Sequence, residues 1–253
     1  MKKVTLYGLD GNKKDTIELP IIFNTIYRPD IIQKSFNTLH SNKRQPYGSN
    51  IFSGTKHSTA SVGKGRGMSR VPRLSQGRRA ALAPCVVGGR RAHPPKSERN
   101  WKEKINKKEK MIAKKSAIAA TNNKDLVTKR GHKYDEKISL PIVIDDKFEK
   151  IKKTKEVIEL FKKIGIYEDI IRASNGKHIR AGKGKMRGRK YKIPKSVLIV
   201  SNEKNKLKNS ENLPGVDIID RRNLNIEHLA PGGIAGRLTI FAKSALDKIG
   251  GNK

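Results

Sequence analysis

The chain has 253 residues, long enough for one large domain or two small ones. Lys and Arg number 57 against 23 Asp and Glu, and a compact domain with the resulting net charge of +34 would repel itself unless it bound a polyanion. A single cysteine excludes an intrachain disulfide, and no run approaches the roughly 20 apolar residues that a membrane-spanning helix needs, so we expect a soluble, intracellular protein.

The first elements are predicted to be a hairpin and a helix. Residues 3–22 are typical of two short strands joined by an Asp-Gly-Asn turn. A helix is predicted to begin at Pro29. Its buried face contains Ile32, Phe36 and Leu39, which are spaced as i, i+4 and i+7.

The apolar periodicity stops at about residue 41. Residues 41–100 contain 13 Lys or Arg, eight Gly, five Pro and a single acidic residue, Glu98. A segment of this length without a helix or strand pattern is usually functional or disordered. We therefore predict an extended basic loop over residues 45–96, outside a globular body formed by residues 1–44 and 97–253.

A long basic helix is predicted to follow Ser97, which is a candidate N-cap. Because most of its other side chains are lysines, only part of one face can be buried. The predicted partial anchors are Trp101, Ile105, Ile112 and Ile118.

An apolar strand at residues 139–146 precedes a second helix, which is predicted within residues 148–166. Gly165 is the predicted end of this helix, because glycine readily adopts the left-handed backbone of a helix C-terminus. The predicted buried face consists of Ile151, Thr154, Ile158 and Phe161.

A second basic tract, residues 172–195, contains ten Lys or Arg, four Gly and no acidic residue. Three short apolar runs follow it, at 196–202, 215–220 and 237–242, with helical segments between and after them. Apolar strands that alternate with helices predict an α/β fold. We expect an open, mostly parallel sheet with flanking helices, Rossmann-like in topology but without a nucleotide site, and a long basic non-globular extension.

The sequence contains no catalytic or metal-binding constellation. None of the six histidines lies three or four residues from another, so no metal is predicted. Neither glycine-rich tract has the spacing of a P-loop or of a dinucleotide-binding fingerprint, so neither a cofactor nor a small-molecule substrate is expected. Cys85 is expected to be a small, semi-buried residue.

Four aspartates at predicted strand ends leave an alternative function open. Paired carboxylates could hold the metals of an RNA-processing nuclease, although Asp is also an ordinary capping and turn residue, which we favour. These residues are Asp145, Asp146, Asp217 and Asp220. A non-specific nucleic-acid-binding protein of the chromatin type is a further alternative.

The composition of the basic tracts favours folded nucleic acid as the partner. Aromatic residues make up only 5% of the chain, too few for base stacking to be the main binding device. Glycine permits close backbone approach, proline keeps a segment extended, and arginine contacts phosphates through two donors. No strongly amphipathic basic helix indicates a membrane surface instead. We expect the loop to be disordered alone and ordered by its partner.

Four motifs resemble the ribosomal large-subunit protein four family in its archaeal and eukaryotic form. They are GKGRGMSRVPR, QGRRAALAPCVVGGRRAHPPK, NGKHIRAGKGKMRGRKYKIPKSVLIV and LAPGGIAGRLTIFAKSAL, in order across about residues 3–250. The GGRRAHPP variant and the end at Lys253 are most similar to the archaeal form.

This resemblance implies a non-enzymatic structural constituent of the cytoplasmic large ribosomal subunit. Its body would lie on the subunit surface, and its extension would reach through the large ribosomal RNA (rRNA) to the peptide exit tunnel. The extension tip would line the tunnel beside large-subunit protein twenty-two and meet the nascent peptide. The tip residues would be Arg66, Gly67, Met68, Ser69, Arg70 and Val71.

The basic tracts and the resemblance together give a set of predicted RNA-binding residues. In the first tract they are Lys43, Arg44, Lys56, Lys64, Arg73, Arg78, Arg79, Arg90, Arg91, His93 and Lys96. In the second tract they are Lys177, His178, Arg180, Lys183, Lys185, Arg187, Arg189 and Lys190.

Overall fold

The computed structural model describes residues 2–202, 207 and 210–250. The chain divides into two compact units. One unit comprises Met1–His40 and Lys104–Lys253, and we call it the body. The other unit is Ser41–Glu103, and we call it the extension.

The helices and strands of the described residues are as follows. The α-helices are α1 (Pro29–Asn42), α2 (Lys107–Ala120), α3 (Lys124–Lys129), α4 (Thr154–Ile164), α5 (Tyr167–Asn175), α6 (Ile226–Leu229) and α7 (Lys243–Gly250). The strands are β1 (Lys3–Tyr7), β2 (Lys13–Glu18), β3 (Thr59–Ala60), β4 (Arg73–Leu74), β5 (Ile142–Ile144), β6 (His178–Ile179), β7 (Tyr191–Lys192), β8 (Leu198–Ser201), β9 (Asp217–Asp220) and β10 (Thr239–Ala242). None of these helices is long and apolar enough to cross a membrane.

The body is built on a six-stranded sheet in the order β2-β1-β5-β10-β8-β9. All neighbours in this sheet are parallel except β1 and β2, which pair antiparallel at one edge. The hairpin predicted at residues 3–22 is thereby confirmed. Its turn requires glycine, because Gly11 has a φ of +75° and an added Cβ would lie 2.5 Å from Cβ of Lys163. The mostly parallel sheet confirms the predicted fold class.

Apolar side chains of the strands alternate between two cores, one on each face of the sheet. Val143 packs into one core with residues of α1, α2, α6 and α7. Its neighbours Ile142 and Ile144 pack into the other core with residues of α4 and α5. Successive side chains of a strand point to opposite faces, so helices cover both sides of the sheet. The central strands are therefore fully buried, as their continuous apolar runs predict.

Helix α2 begins later than the sequence predicts. It starts at Lys107, and Ser97 does not cap it. The residues between them belong partly to the extension, where the ring of Trp101 stacks on that of Tyr47 with 5.5 Å between ring centres. Tertiary contacts at this point override the local helical pattern.

The buried face of α2 also differs from the prediction. Ile118 is buried as predicted, whereas Ile112 is 45% exposed. Small side chains form most of the buried face and allow close packing of the helix: Ala113, Ser116, Ala117, Ala119 and Ala120. The prediction was wrong for Ile112 because it assumed that large apolar side chains, and not small ones, form the buried face of this helix.

The predicted face of α4 is shifted by part of a turn. Ile151 lies before the helix, after a 3-10 helix at Asp146–Lys150, so it cannot line up with residues of α4. The buried side chains are Val157, Leu160, Phe161 and Ile164, so Phe161 is buried as predicted, whereas Thr154 and Ile158 are half-buried. The predicted helix end is confirmed, because Gly165 adopts a left-handed backbone with a φ of +90°.

Helices α3 and α5 have no counterpart among the predicted elements. Each is short, with six and nine residues, so few apolar residues repeat within it. Helix α5 includes the start of the tract predicted as a basic loop at residues 172–195. The irregular part of that tract therefore begins at Gly176.

Candidate nucleic-acid interface

The second basic tract forms a small hairpin between α5 and β8, and we call residues 176–194 the basic hairpin. Strands β6 and β7 pair antiparallel, with His178 opposite Lys192. The amide of Arg180 donates to the carbonyl of Lys190 at 2.9 Å. No acidic residue occurs in this hairpin. The fold thus presents a concentrated positive charge on a short ordered element.

The basic hairpin carries eight of the predicted RNA-binding residues. All are exposed except Arg180, which is half-buried: Lys177, His178, Arg180, Lys183, Lys185, Arg187, Arg189 and Lys190. Arg180, His178 and Arg189 line a cavity of about 600 Å³. The buried Nε of Arg180 has no hydrogen-bond partner among the described residues. Donors without a neighbouring carboxylate suit an anion such as phosphate.

An aromatic ring holds two cations of the basic hairpin close together. The Nζ atoms of Lys177 and Lys190 lie 4.7 Å and 5.6 Å from the ring centre of Tyr191. Each contact is a cation–π interaction, which attracts the ammonium group to the ring. Tyr191 is 49% exposed, so both ammonium groups stay accessible from solvent.

The hairpin rises from a buried polar cluster that the sequence did not reveal. The carboxylate of Asp169, on α5, is fully buried. It accepts hydrogen bonds from Arg172 Nε at 2.8 Å, from Ser196 Oγ at 2.6 Å and from the amide of Lys133 at 3.0 Å. Burial alone would raise the pKa of Asp169, but hydrogen bonds from His132, Arg172 and Ser196 outweigh burial and hold the pKa well below its usual range.

His132 completes this cluster. Its Nδ1 lies 3.1 Å from Oδ2 of Asp169, and its side chain is almost fully buried. Burial lowers the pKa of His132, and the nearby Arg172 and Arg130 lower it further, although Asp169 opposes them. The buried Nε2 has no partner among the described residues. A neutral ring that donates from Nδ1 to Asp169 fits this environment.

Arg237 is a second buried charge beneath the end of the hairpin. Its guanidinium is fully buried, lies 2.7 Å from Asp217 and donates to the carbonyl of Ser196 at 2.8 Å. Burial lowers the pKa of Arg237, an effect that Asp217 counteracts. The sequence contains one signal that could have predicted this ion pair. Arg237 opens the apolar run RLTIFA, and an arginine buried with such a run needs a buried partner.

Two arms of the extension approach each other closely. The amide of Ser49 donates to the carbonyl of Pro95 at 3.0 Å. At Gly54, where φ is +75°, an added Cβ would lie 2.5 Å from the backbone nitrogen of Arg90. Glycine therefore permits a backbone contact that no other residue would allow.

The base of the extension is closed by contacts around Trp101. Tyr47 stacks on its ring, and the guanidinium groups of Arg44 and Arg99 lie 4.5 Å and 4.3 Å from the ring centre. The hydroxyl of Ser41 donates to the carbonyl of Trp101 at 2.6 Å. This aromatic cluster joins the two ends of the extension.

Almost all predicted RNA-binding side chains of the extension are exposed: Lys43, Arg44, Lys56, Lys64, Arg78, Arg79, Arg90, Arg91, His93 and Lys96. The exception is Arg73, whose guanidinium donates to the carbonyl of Arg78 at 2.6 Å and to the hydroxyl of Ser69 at 3.1 Å. Arg73 therefore shapes the loop near the tip. Cys85 is exposed, contrary to expectation, since little apolar material surrounds it in this unit.

The tip predicted at residues 66–71 is an open turn. Gly67, like Gly63 and Gly65, has a positive φ, and an added Cβ at any of the three would meet nothing within 4 Å. Met68 is 38% exposed, and Val71 is half-buried. The tip glycines therefore serve backbone conformation and not close packing.

The four aspartates of the nuclease alternative do not converge. Asp145 and Asp146 follow β5, and Asp220 ends β9, which lies three positions away from β5 in the sheet, so about 14 Å separates these strands at the usual spacing. Asp217 lies at the opposite end of β9. The described residues include no group of three side chains that could hold a metal ion. Asp145 and Asp220 stand at the N-cap positions of 3-10 helices, but neither side chain makes the capping hydrogen bond that the sequence favoured.

These aspartates have partners of their own within the body. Asp145 pairs with Lys14 at 2.8 Å, and Asp146 accepts the amide of Ser244 at 2.8 Å. Asp217 pairs with Lys195 at 2.8 Å as well as with Arg237.

Comparison with known proteins identifies the family. Residues 17–252 match the model of the Ribosomal protein L4/L1 family. The chain belongs to this family. It is 51% identical to the large ribosomal subunit protein uL4 of Methanocaldococcus jannaschii, with 98% of both chains covered. It is 52% identical to that of Methanococcoides burtonii, with 99% of both covered, and 49% identical to that of Archaeoglobus fulgidus, with 98% of both covered.

Membership in the L4/L1 family confirms the resemblance seen in the motifs, and the archaeal relatives confirm the archaeal type. These relatives are named as ribosomal proteins and not as enzymes, which confirms the expectation of a non-enzymatic protein.

Proposed function

We propose that this chain is a structural constituent of the large ribosomal subunit that binds rRNA through the basic hairpin and the extension. Its relatives carry the name large ribosomal subunit protein uL4, so its compartment is the cytoplasmic ribosome. The observation that carries RNA binding is the basic hairpin, which presents eight predicted contact residues and no acidic side chain. Phosphates are the ligands such a surface selects.

The two segments would contact RNA in different ways. The basic hairpin offers a compact set of donors to phosphates that lie close together in a folded RNA. The extension, predicted to span residues 45–96, offers separate basic side chains along a narrow strip and would thread between RNA helices. Glycine at the arm contacts keeps this strip thin, as at Gly54.

Binding assays at matched salt test this function. We expect the full chain to prefer a folded large-subunit rRNA fragment over duplex DNA of equal length, with affinity that falls as salt rises. In a cell lysate the chain should sediment with large subunits even after a high-salt wash. Equal affinity for DNA and rRNA would favour the chromatin-type alternative.

The extension tip would line the peptide exit tunnel beside protein twenty-two. Family resemblance and the exposed, mixed character of residues 66–70 support this placement: Arg66 and Arg70 are polar, and Met68 would give weak, adaptable apolar contact to passing chains. A thioether offers nothing to a phosphate, so Met68 argues against a tip that only anchors RNA.

Deletion of residues 66–71 tests the tunnel role. The remaining basic residues should still hold the protein in the subunit, so incorporation should be unchanged while nascent-chain passage changes. Assembled subunits would be compared for both properties, with the wild-type chain as control. Loss of incorporation would identify the tip as an anchor.

A further inference from the structure

We propose that the buried side chain of Asp169 and the half-buried side chain of Arg172 position the basic hairpin for RNA binding. This inference rests on the proposed function. Neither residue is among the predicted RNA-binding residues, and both would hold the hairpin in one orientation. Both residues lie on α5, directly before the hairpin.

Asp169 fixes the orientation of Arg172. Its Nε donates to Oδ1 of Asp169 at 2.8 Å, and its Nη2 lies 3.4 Å from Oδ2. A carboxylate that contacts two nitrogens of one guanidinium fixes the plane of that group. Asp169 is itself held by Ser196 and by the amide of Lys133, so it has little freedom to follow a moving arginine.

Arg172 also contacts the far end of the hairpin. Its Nη2 donates to the carbonyl of Lys195 at 2.9 Å, and the adjacent Ser196 donates to Asp169 at 2.6 Å. One end of the hairpin leaves α5 just after Arg172, and the other end enters β8 through Lys195 and Ser196. One buried carboxylate and one guanidinium therefore tie both ends together.

The two ends of the hairpin pack directly against each other. An added Cβ at Gly176 would lie 2.6 Å from Cγ of Pro194, so the two ends are in direct contact. Proline restricts the backbone at this end. Movement of the hairpin as a whole is thus opposed at its base, while its exposed cationic side chains stay free to meet RNA.

The ion pair between Arg172 and Asp169 suits a positioning role better than a purely stabilising one. A buried ion pair gains little stability compared with apolar packing, because desolvation costs about as much as the attraction returns. Such a pair does fix the relative orientation of the two groups, because its hydrogen bonds require a defined geometry. Here the directed bonds end on backbone and side-chain atoms of the hairpin base.

Two conservative variants test the proposal in the full chain. Arg172→Lys keeps the charge but cannot contact Asp169 and the Lys195 carbonyl in the same fork geometry. Ser196→Ala removes one hydroxyl and no charge. We expect each to weaken binding of a large-subunit rRNA fragment, by about tenfold for Arg172→Lys, the equivalent of removing one charged hydrogen bond. Trypsin cleavage within residues 177–192 should accelerate under native conditions.

Two controls isolate the effect. Asp30→Asn removes an exposed ion pair with Arg28 and should change neither affinity nor hairpin cleavage. Val143→Ala truncates a buried side chain of β5, and it should lower the thermal midpoint while leaving hairpin cleavage unchanged. A positioning role predicts that the Arg172 and Ser196 variants lose more affinity than this core variant.

A third variant separates failure of this inference from failure of the proposed function. Replacement of Arg187, Arg189 and Lys190 by Gln removes exposed hairpin charges directly. If that variant loses rRNA affinity while Arg172→Lys and Ser196→Ala bind like the wild type, the positioning role is wrong. If all three bind like the wild type, the hairpin is not an RNA-binding site and the proposed function fails at this surface.

Discussion

The basic hairpin and the extension have similar compositions but are held in different ways. Both are rich in Lys, Arg and Gly and nearly free of acidic residues. The hairpin is tied at both ends to a fully buried carboxylate, Asp169, inside the body. The extension is held by contacts among its own residues, notably those around Trp101.

Glycine has two different roles in these basic segments. At Gly54 and Gly89, in the arms of the extension, an added Cβ would meet backbone atoms at 2.5 Å and 1.9 Å. At Gly188, in the hairpin, an added Cβ would meet nothing within 4 Å. Glycine therefore permits close backbone packing in the arms of the extension, whereas Gly188 and the tip glycines of the extension serve only backbone conformation.

The largest expected effect comes from removing charge at the basic hairpin. Replacement of Arg187, Arg189 and Lys190 by Gln should weaken rRNA binding by at least about 100-fold at low salt. It should also reduce the slope of log affinity against log salt by about 0.7–0.9 for each phosphate that the variant no longer neutralises. Replacement of Lys155, Lys162 and Lys163 on α4 is the matched control. An unchanged slope would mean that the hairpin side chains face solvent in the complex.

A pair of glycine substitutions tests the rigidity of the hairpin base. In Gly215→Ala the new Cβ would lie 2.3 Å from the carbonyl oxygen of Pro194, at a φ of +73°. We expect a loss of about 3 kcal/mol in the free energy of unfolding, from backbone strain and displacement together. Gly188→Ala, at a similar φ of +75° in open space, should cost only about 1 kcal/mol. Equal losses in urea denaturation would contradict a tightly packed base.

The pH dependence of stability distinguishes the buried cluster from exposed basic residues. The folded pKa of His132 is lowered by burial, so below about pH 6.5 the unfolded chain takes up a proton that the folded chain does not. The free energy of unfolding should therefore decrease as the pH is lowered through this range, by up to about 1.4 kcal/mol per pH unit. In His132→Asn this contribution is absent, so its stability deficit relative to wild type should shrink between pH 7.5 and pH 5. A deficit independent of pH in urea denaturation would show that the pKa of His132 is the same in the folded and unfolded chain, and a deficit that grows as pH falls would show that folding raises it.

The smallest effect is expected at the base of the extension. Trp101→Ala removes a stacked pair and two cation–π contacts, each worth about 1 kcal/mol or less. Protease cleavage within residues 45–96 should accelerate several-fold, while the thermal midpoint of the body stays the same. Phe52→Ala, which truncates a side chain that is 60% exposed, is the control and should cleave like the wild type. Equal rates for both variants would mean that the aromatic cluster does not hold the extension.

The sheet could be predicted from the sequence because each central strand is a short, continuous apolar run. Strands such as β8 and β10 are buried on both faces, and their composition alone shows this. The buried polar cluster beneath the hairpin could not be predicted. His132, Asp169 and Ser196 lie far apart in the chain, and single polar residues carry no periodicity that links them. The basic surface was visible in the composition, but the means of holding it depends on tertiary contacts.

Hydrogen exchange of the full chain, with and without a large-subunit rRNA fragment, tests the central contrast most directly. Without RNA, the amide of Arg180, which donates to the carbonyl of Lys190 beside the paired strands β6 and β7, should be protected, while amides at 63–71 exchange at nearly free rates. With RNA, both segments should slow, and the extension should gain more protection than the hairpin. An extension already as protected as the body in the absence of RNA, or the lack of any slowing in both segments with RNA, would contradict this account.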